Sequence, residues 1–220
     1  MATRCKKSNA VISKPLLDEA DTIKNLRVSR ATPESLNRRR RTTSIASTSD
    51  EALRILHQNI QGLRWKSDEV INSLYPSPPH ILCFTEHHLN QHEINLIQID
   101  SYTLGASYCR NSYKMGGVCI FVNKNLNFMN IDLRKFSHER DIEAGTVKFA
   151  VNSVNICILS IYRAPSGNFT LFLNKLEVIL NLLHNNNTQL IICGDININY
   201  LIENNKKKPS RFFIGLLQPN

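Results

Sequence analysis

No stretch of the 220-residue chain approaches the roughly 18 consecutive apolar residues that a membrane-spanning helix requires. The amino terminus, Met1-Ala2-Thr3-Arg4-Cys5-Lys6-Lys7, has no apolar core of the kind a secretory signal carries. None of the six cysteines stands in CxxC spacing, so a zinc site has no support. Without a secretion signal, reduced thiols inside a cell are the expected state. Cys83, Cys119, Cys157 and Cys193 lie in apolar, strand-like runs, where cysteine behaves as a small hydrophobe. Acid is scarce at the front: residues 1–50 hold 11 Lys and Arg against 5 Asp and Glu, and the remaining residues hold 16 against 13. Most of the net charge of +9 therefore belongs to an amino-terminal arm. Asp18, Glu19 and Asp21 argue against a mitochondrial transit peptide.

What is present is a globular body behind that arm. Residues 1–50 are rich in Ser, Thr and Arg, without a sustained apolar period, and read as a disordered basic arm. Within it Arg38 to Arg41 form a basic run, read as a nuclear address, a phosphate-binding patch or a solvated tail. Residues 51–220 read as one α/β domain. Leu53 to Ile60 and Ile81 to Thr85 are strands, and Lys66 to Leu74 between them has helical spacing, with Trp65, Val70, Ile71 and Leu74 on or near its apolar face. Strand, helix, strand predicts a crossover unit with the strand ends side by side. Tyr102 to Tyr108 and Gly116 to Val122 are strand-like. Gly145 to Val151 and Val154 to Tyr162 form a hairpin about Asn152-Ser153, and Phe169 to Leu183 is an amphipathic helix. Thr188 to Cys193 is a buried strand, Gly194 is read as a turn without a side-chain clash, and Ser210 to Leu217 is a last helical candidate.

Four of these strands end in a polar group: Asn59, Glu86, Tyr162, and Asp195 with Asn197. If the chain stays extended, Asp195 and Asn197 point to one side. An Asx-turn that merely closes the strand is the alternative for that pair. Carboxylate, amide and phenol delivered by apolar strands into loops can make a hard-oxygen site, where Mg²⁺ is typically held by one or two carboxylates and several waters. Glu86 is the best ligand candidate and Asn59 supports it. His87 and His88 beside Glu86 read as surface histidines.

His57-Gln58-Asn59-Ile60-Gln61-Gly62-Leu63, Thr85-Glu86, Gly116-Gly117-Val118-Cys119-Ile120, Ile161-Tyr162-Arg163-Ala164-Pro165-Ser166-Gly167-Asn168 and Gly194-Asp195-Ile196-Asn197 occur in an order and spacing that resemble the endonuclease/exonuclease/phosphatase superfamily, the DNase I-like fold. Within it the likeness is to the apurinic-type endonuclease domain at the front of non-LTR retrotransposon polyproteins, over about Leu53 to Tyr200. The resemblance implies a four-layer α/β sandwich, two packed mixed sheets with outer helices. It implies that Asn59 and Glu86 hold Mg²⁺ or Mn²⁺, and that Tyr162 contacts the scissile phosphate. Asp195 would orient or deprotonate the attacking water, and Asn197 would steady the phosphorane. The substrate would be DNA, nicked to a 3′-hydroxyl that a reverse transcriptase domain of full-length relatives uses as primer. Arg163 and Arg110 are read as contacts to DNA phosphates, with ordinary solvated charges as the alternative, and Asn168 is read as a further nucleic-acid contact.

The sequence departs from that pattern in one respect. Typical members continue further and close on a Ser-Asp-His motif, and this sequence has no such tripeptide. None of its seven histidines falls at a catalytic position of the family. The domain is expected to be incomplete at its carboxyl end, lacking its last strands, with catalysis impaired. A non-catalytic remnant, or an interaction protein working through its basic arm, is the alternative.

Overall fold

Alternate residues of the central strands face different layers, and that alternation builds the molecule. The computed structural model describes residues 10–11, 52–73, 76–151, 153–197 and 212–217. One sheet holds β1 (Ala10–Val11), β2 (Ile55–Asn59), β3 (Ile81–Thr85), β4 (Tyr102–Tyr108) and β5 (Val118–Asn123), in the order β1-β2-β3-β5-β4. The other holds β6 (Phe128–Asn130), β7 (Glu143–Val151), β8 (Val154–Tyr162), β9 (Thr188–Asp195) and β10 (Phe212–Leu217), in the order β10-β9-β8-β7-β6. The described helices are α1 (Ser67–Ser73), α2 (Gln91–Leu96) and α3 (Phe169–Leu183).

In β3, Ile81 and Cys83 point between the sheets, where they meet Ile55, Ile120, Ile158 and Cys193. Leu82 and Phe84 point the other way and pack with Val70 of α1 and Ile94 of α2. In β8, Ile156 and Ile158 enter the inter-sheet core, whereas Cys157, Leu159 and Ile161 pack against Phe172, Ile179 and Leu183 of α3. This period-two sorting produces helix, sheet, sheet, helix: the four-layer sandwich that the family resemblance implied. Removing a side chain such as Phe84 or Ile158 fully from water contributes about 1.5–3 kcal/mol, so the doubly covered strands are the rigid part of the fold.

The crossover is present, since β2 and β3 run parallel, with Asn59 opposite Thr85. The β7–β8 hairpin turns between Val151 and Val154, and the helix at Phe169–Leu183 has the expected bounds. Three expectations are corrected. Residues 212–217 are a strand, not a helix: β10 pairs antiparallel with β9, from Phe212 opposite Asp195 to Leu217 opposite Leu190. Residues 10–11, expected in a disordered arm, form β1 and pair with His57 and Leu56. Trp65 does not join an apolar helix face but stands 88% exposed, because α1 begins only at Ser67 and Leu63 takes the core position. Arg38 to Arg41 and Lys206 to Lys208 lie outside the described residues. Among the described residues no helix is long and apolar enough to cross a membrane.

Candidate active site

Two parallel strand pairs, one in each sheet, end at the same rim of the sandwich. β2 and β3 end together at Asn59 and Thr85, and β8 and β9 end together at Tyr162 and Asp195. β7 adds Glu143 opposite Tyr162. In-register parallel pairs bring the residues just past their carboxyl ends together, which is where open α/β sheets carry ligands.

The side chains meet there. Asn59 Nδ2 donates to Glu86 Oε1 at 2.8 Å and to Asp195 Oδ2 at 2.9 Å. The Tyr162 hydroxyl donates to the same Glu86 oxygen at 2.9 Å. His88 Nε2 lies 3.5 Å from Glu86 Oε2. One amide nitrogen thus bridges carboxylates supplied by the two sheets. Because that nitrogen faces the acids, Asn59 Oδ1 points away from them, and it is buried with no hydrogen-bond partner among the described residues.

Glu86 sits in a strained turn. Its φ is 56°, a left-handed conformation that is uncommon for a residue with a side chain. Backbone bonds hold it: Glu86 N donates to Gly117 O at 2.8 Å and Glu86 O accepts from Gly62 N at 2.8 Å. Gly117 is required by close approach, for a Cβ there would meet the His87 ring at 2.3 Å, and its own φ of +89° excludes most side chains. His87 is buried, not a surface histidine: Nε2 donates to Tyr108 O at 3.0 Å while Nδ1 accepts from Leu89 N at 3.0 Å. Burial pushes its pKa down to about 4, because the charged ring would lose its hydration, and the neighbouring His88 and Arg110 disfavour the charge further.

The two carboxylates are tuned in opposite directions. Burial works to raise Glu86, but hydrogen bonds from His88, Asn59 and Tyr162 outweigh it and hold Glu86 below the usual carboxylate range. Burial raises Asp195, and the hydrogen bonds from Asn59 and the Asn197 N–H only partly offset it. Burial and the neighbouring Glu86 charge push the Tyr162 phenol up, so it stays protonated and can donate. Separating two acids in this way divides a constant anion from a proton acceptor.

Three expected contacts have other positions. Arg163 is buried, and its guanidinium donates to the carbonyls of Ile196, Ala164, Gly167 and Asn197, at 3.0, 3.2, 2.6 and 3.1 Å. Its donors face the chain itself instead of solvent, so it pins the loop after Asp195 to the loop after Tyr162. Arg110 is also turned inward, where its Nε donates to Glu143 at 2.6 Å and its guanidinium carbon lies 5.8 Å from the Tyr162 ring centroid. Asn168 is exposed, but its side-chain oxygen caps α3 by accepting from Leu171 N at 3.0 Å. Asn197 is at φ 48°, so the strand does not stay extended past Asp195. Its amide nitrogen donates to Arg163 O at 2.8 Å, and its N–H donates to Asp195 Oδ1 at 3.2 Å. Asp195 and Asn197 therefore do close an Asx-type turn, and that turn also fixes the carboxylate.

No motif marks Glu143, which is fully buried and accepts from Gly117 N at 2.6 Å as well as from Arg110. It ties the glycine loop and Arg110 together behind Tyr162. Gly194 serves a purpose other than a turn: it lies within β9, and a Cβ there would meet Ile161 O at 2.0 Å. A cleft of about 450 Å³ runs elsewhere, along the seam of β4, β6 and β7, lined by Gly105, Asn130 and Arg134 among others and by none of the converging side chains.

The donor set fits a hard divalent cation. Among the described residues no three His, Cys, Asp or Glu side chains form a closed cage. An open site of one or two carboxylates plus an amide oxygen is what Mg²⁺ tolerates, since it keeps much of its water, and the buried, unbonded Asn59 Oδ1 is such an oxygen.

The family model for the endonuclease/exonuclease/phosphatase family matches residues 56–206. Solved structures similar to this chain include the endonuclease domain of TRAS1, a telomere-specific non-LTR retrotransposon, at 15% identity and TM-score 0.47, covering 64% of this chain and 57% of that one. A humanized D. rerio TDP2 gives 13% identity and TM-score 0.49, with 66% of each chain covered. An AP endonuclease from Archaeoglobus fulgidus gives 19% identity and TM-score 0.44, covering 66% of this chain and 57% of that one. The chain thus spans little more than half the length of the TRAS1 domain. No curated protein matches it.

Proposed function

This chain belongs to the endonuclease/exonuclease/phosphatase family, and from that premise we propose that it hydrolyses phosphodiester bonds of DNA with a divalent cation, Mg²⁺ or Mn²⁺, leaving a nick with a 3′-hydroxyl. The observation that supports this reading above others is the Asn59 amide bridging Glu86 of one sheet-end loop and Asp195 of the other sheet. Glu86 would hold the cation together with the Asn59 oxygen once the amide turns over and puts that oxygen where its nitrogen now lies, and the bound cation would neutralise charge on the phosphate. Asp195, with its raised pKa, accepts a proton from water as the water oxygen attacks phosphorus and the bond to the 3′-oxygen breaks. Tyr162 keeps its proton and donates to a phosphate oxygen. Asn197 and Arg163 hold the Asp195 loop in place.

Among the described residues no histidine hydrogen-bonds to Asp195 or Tyr162, so the proton for the departing 3′-oxygen has no assigned side-chain source there. Absence of one general acid lowers a rate by about 10²–10⁴-fold, and slow nicking is the corresponding expectation. In a longer polyprotein the 3′-hydroxyl would prime a reverse transcriptase. A supercoiled plasmid incubated with the protein and Mg²⁺ tests the reading. Relaxation that disappears in Glu86→Ala and in Asp195→Ala supports it, and relaxation unaffected by both substitutions excludes the site.

A further inference from the structure

Trp65 is the sole tryptophan of the chain and, at 88%, the most exposed large hydrophobic side chain among the described residues. Isolated apolar residues on a surface are ordinary, but a side chain of this size normally buries its ring or tucks its edge. Trp65 does neither, and its ring makes no aromatic or cation contact among the described residues. It is nonetheless held firmly. Residues 60–63 run along the loop that carries Glu86: Ile60 N donates to Thr85 O, Gly62 N to Glu86 O and Leu63 N to His87 O, at 2.9, 2.8 and 3.0 Å. Leu63 is fully buried, and Lys66 N closes a turn onto Leu63 O at 3.0 Å, which puts Trp65 at the tip of that turn. The Lys66 ammonium reaches back to the Ile60 and Gln61 carbonyls. Those partners are neutral, so the positive charge beneath the turn is uncompensated by them.

The other flank of the Glu86 loop is built alike. Glu86 N and His88 N donate to Gly117 O and Gly116 O, and the loop leading into those glycines exposes Tyr113 and Met115 around Lys114. The anionic centre therefore lies between two loops that each lift large apolar side chains beside a cation. Aromatic rings next to cations are how proteins grip unpaired nucleic acid, the ring stacking on a base and the charge tracking the backbone.

We propose that Trp65 stacks on an unpaired nucleobase of the cleaved strand, so that the protein selects DNA whose bases are unstacked near the nick. This rests on reading the site as a DNA phosphodiester hydrolase. Trp65 stands three positions after Gly62, the backbone partner of Glu86, a span of about 10 Å at most, so the base lies on the strand a few nucleotides from the scissile phosphate.

Because Trp65 is the only tryptophan, its fluorescence reports the contact without any cleavage. The full chain is titrated with a 12-nucleotide single strand, with the matching duplex, and with that duplex carrying one unpaired base. Expected are saturable quenching that is stronger for the single strand and the bulged duplex than for the perfect duplex, and a loss of affinity for labelled single strand of about 5- to 150-fold in Trp65→Ala, with Trp65→Phe recovering most of it. Being fully outside the core, Trp65 can be replaced without unfolding, which melting temperature verifies. Equal quenching by all three DNAs, no quenching, or unchanged affinity in Trp65→Ala overturns the proposal. So does a shift of Trp65 emission with protein concentration alone, which would assign the ring to a contact between copies. Glu86→Gln separates this idea from the catalytic reading. Loss of nicking with quenching intact supports both. Nicking lost in Glu86→Gln while Trp65 stays silent leaves only the catalytic site.

Discussion

Asn59 has one amide nitrogen and two carboxylates to serve, at 2.8 Å and 2.9 Å. Exchanging that donor for a third acid removes both hydrogen bonds and adds like charge. Asn59→Asp is accordingly expected to destabilise the cation-free protein by about 1–3 kcal/mol and to enlarge the gain in melting temperature on adding Mg²⁺. Thermal melts with and without the ion read both effects, and an unchanged cation-free melt would show that the amide bridge contributes nothing. The opposed tuning of Glu86 and Asp195 gives a pH rule. Asp195 must be unprotonated to take a proton from water, and its pKa lies above the ordinary 3.8, so the nicking rate is expected to fall with acidity through a pH above that value. A rate that stays level down to the ordinary value would deny Asp195 the role of base. Residue identity was readable in the sequence wherever a polar group ended an apolar run, as at Asn59, Glu86, Tyr162 and Asp195. Orientation was not. Arg163 carries the same charge whether it faces DNA or four carbonyls of its own loops, and only the packing decides.

Among the elements, α3 was legible because its fifteen residues repeat an apolar face and begin at an Asn cap. β10 was misread because Phe212-Phe213-Ile214-Gly215-Leu216-Leu217 is a short apolar run, which periodicity cannot assign. α2 went unseen: it has six residues, one of them buried, and is held by a capping box between Asn90 and Glu93 more than by any stripe. β9 depends on Gly194 for its close passage by Ile161. Gly194→Ala would drive a Cβ into a backbone oxygen that cannot swing away. It is expected to cost about 3 kcal/mol or more, near the upper end of overpacking effects. Urea denaturation of the variant measures this, and a loss below about 1 kcal/mol would mean that the two strands separate easily there.

At the scale of the molecule, two sheets are clamped face to face and a single rim joins them. Buried histidines lie close beneath that rim. Burial lowers His57 to about 3 and His87 to about 4, from 6.5 in an unfolded chain. Both folded-state values are depressed, so their contribution is complete above pH 6.5 and is lost as the pH falls toward 4 and 3. Near pH 5 unfolding takes up close to two protons at these sites, a slope of roughly 2–3 kcal/mol per pH unit. His57→Gln is expected to remove about half of that slope in denaturant titrations at several pH values. A slope that His57→Gln leaves intact would mean that His57 is already charged in the folded protein.

The proposed cation site at Glu86 and Asn59 is tested most directly by titrating Mn²⁺ into the protein and following free Mn²⁺ by electron paramagnetic resonance, which needs neither DNA nor turnover. The account predicts one saturable site in the native chain, weakened at least tenfold by Glu86→Gln and measurably by Asn59→Leu. Equal Mn²⁺ binding by all three proteins, or none by the native chain, would contradict it.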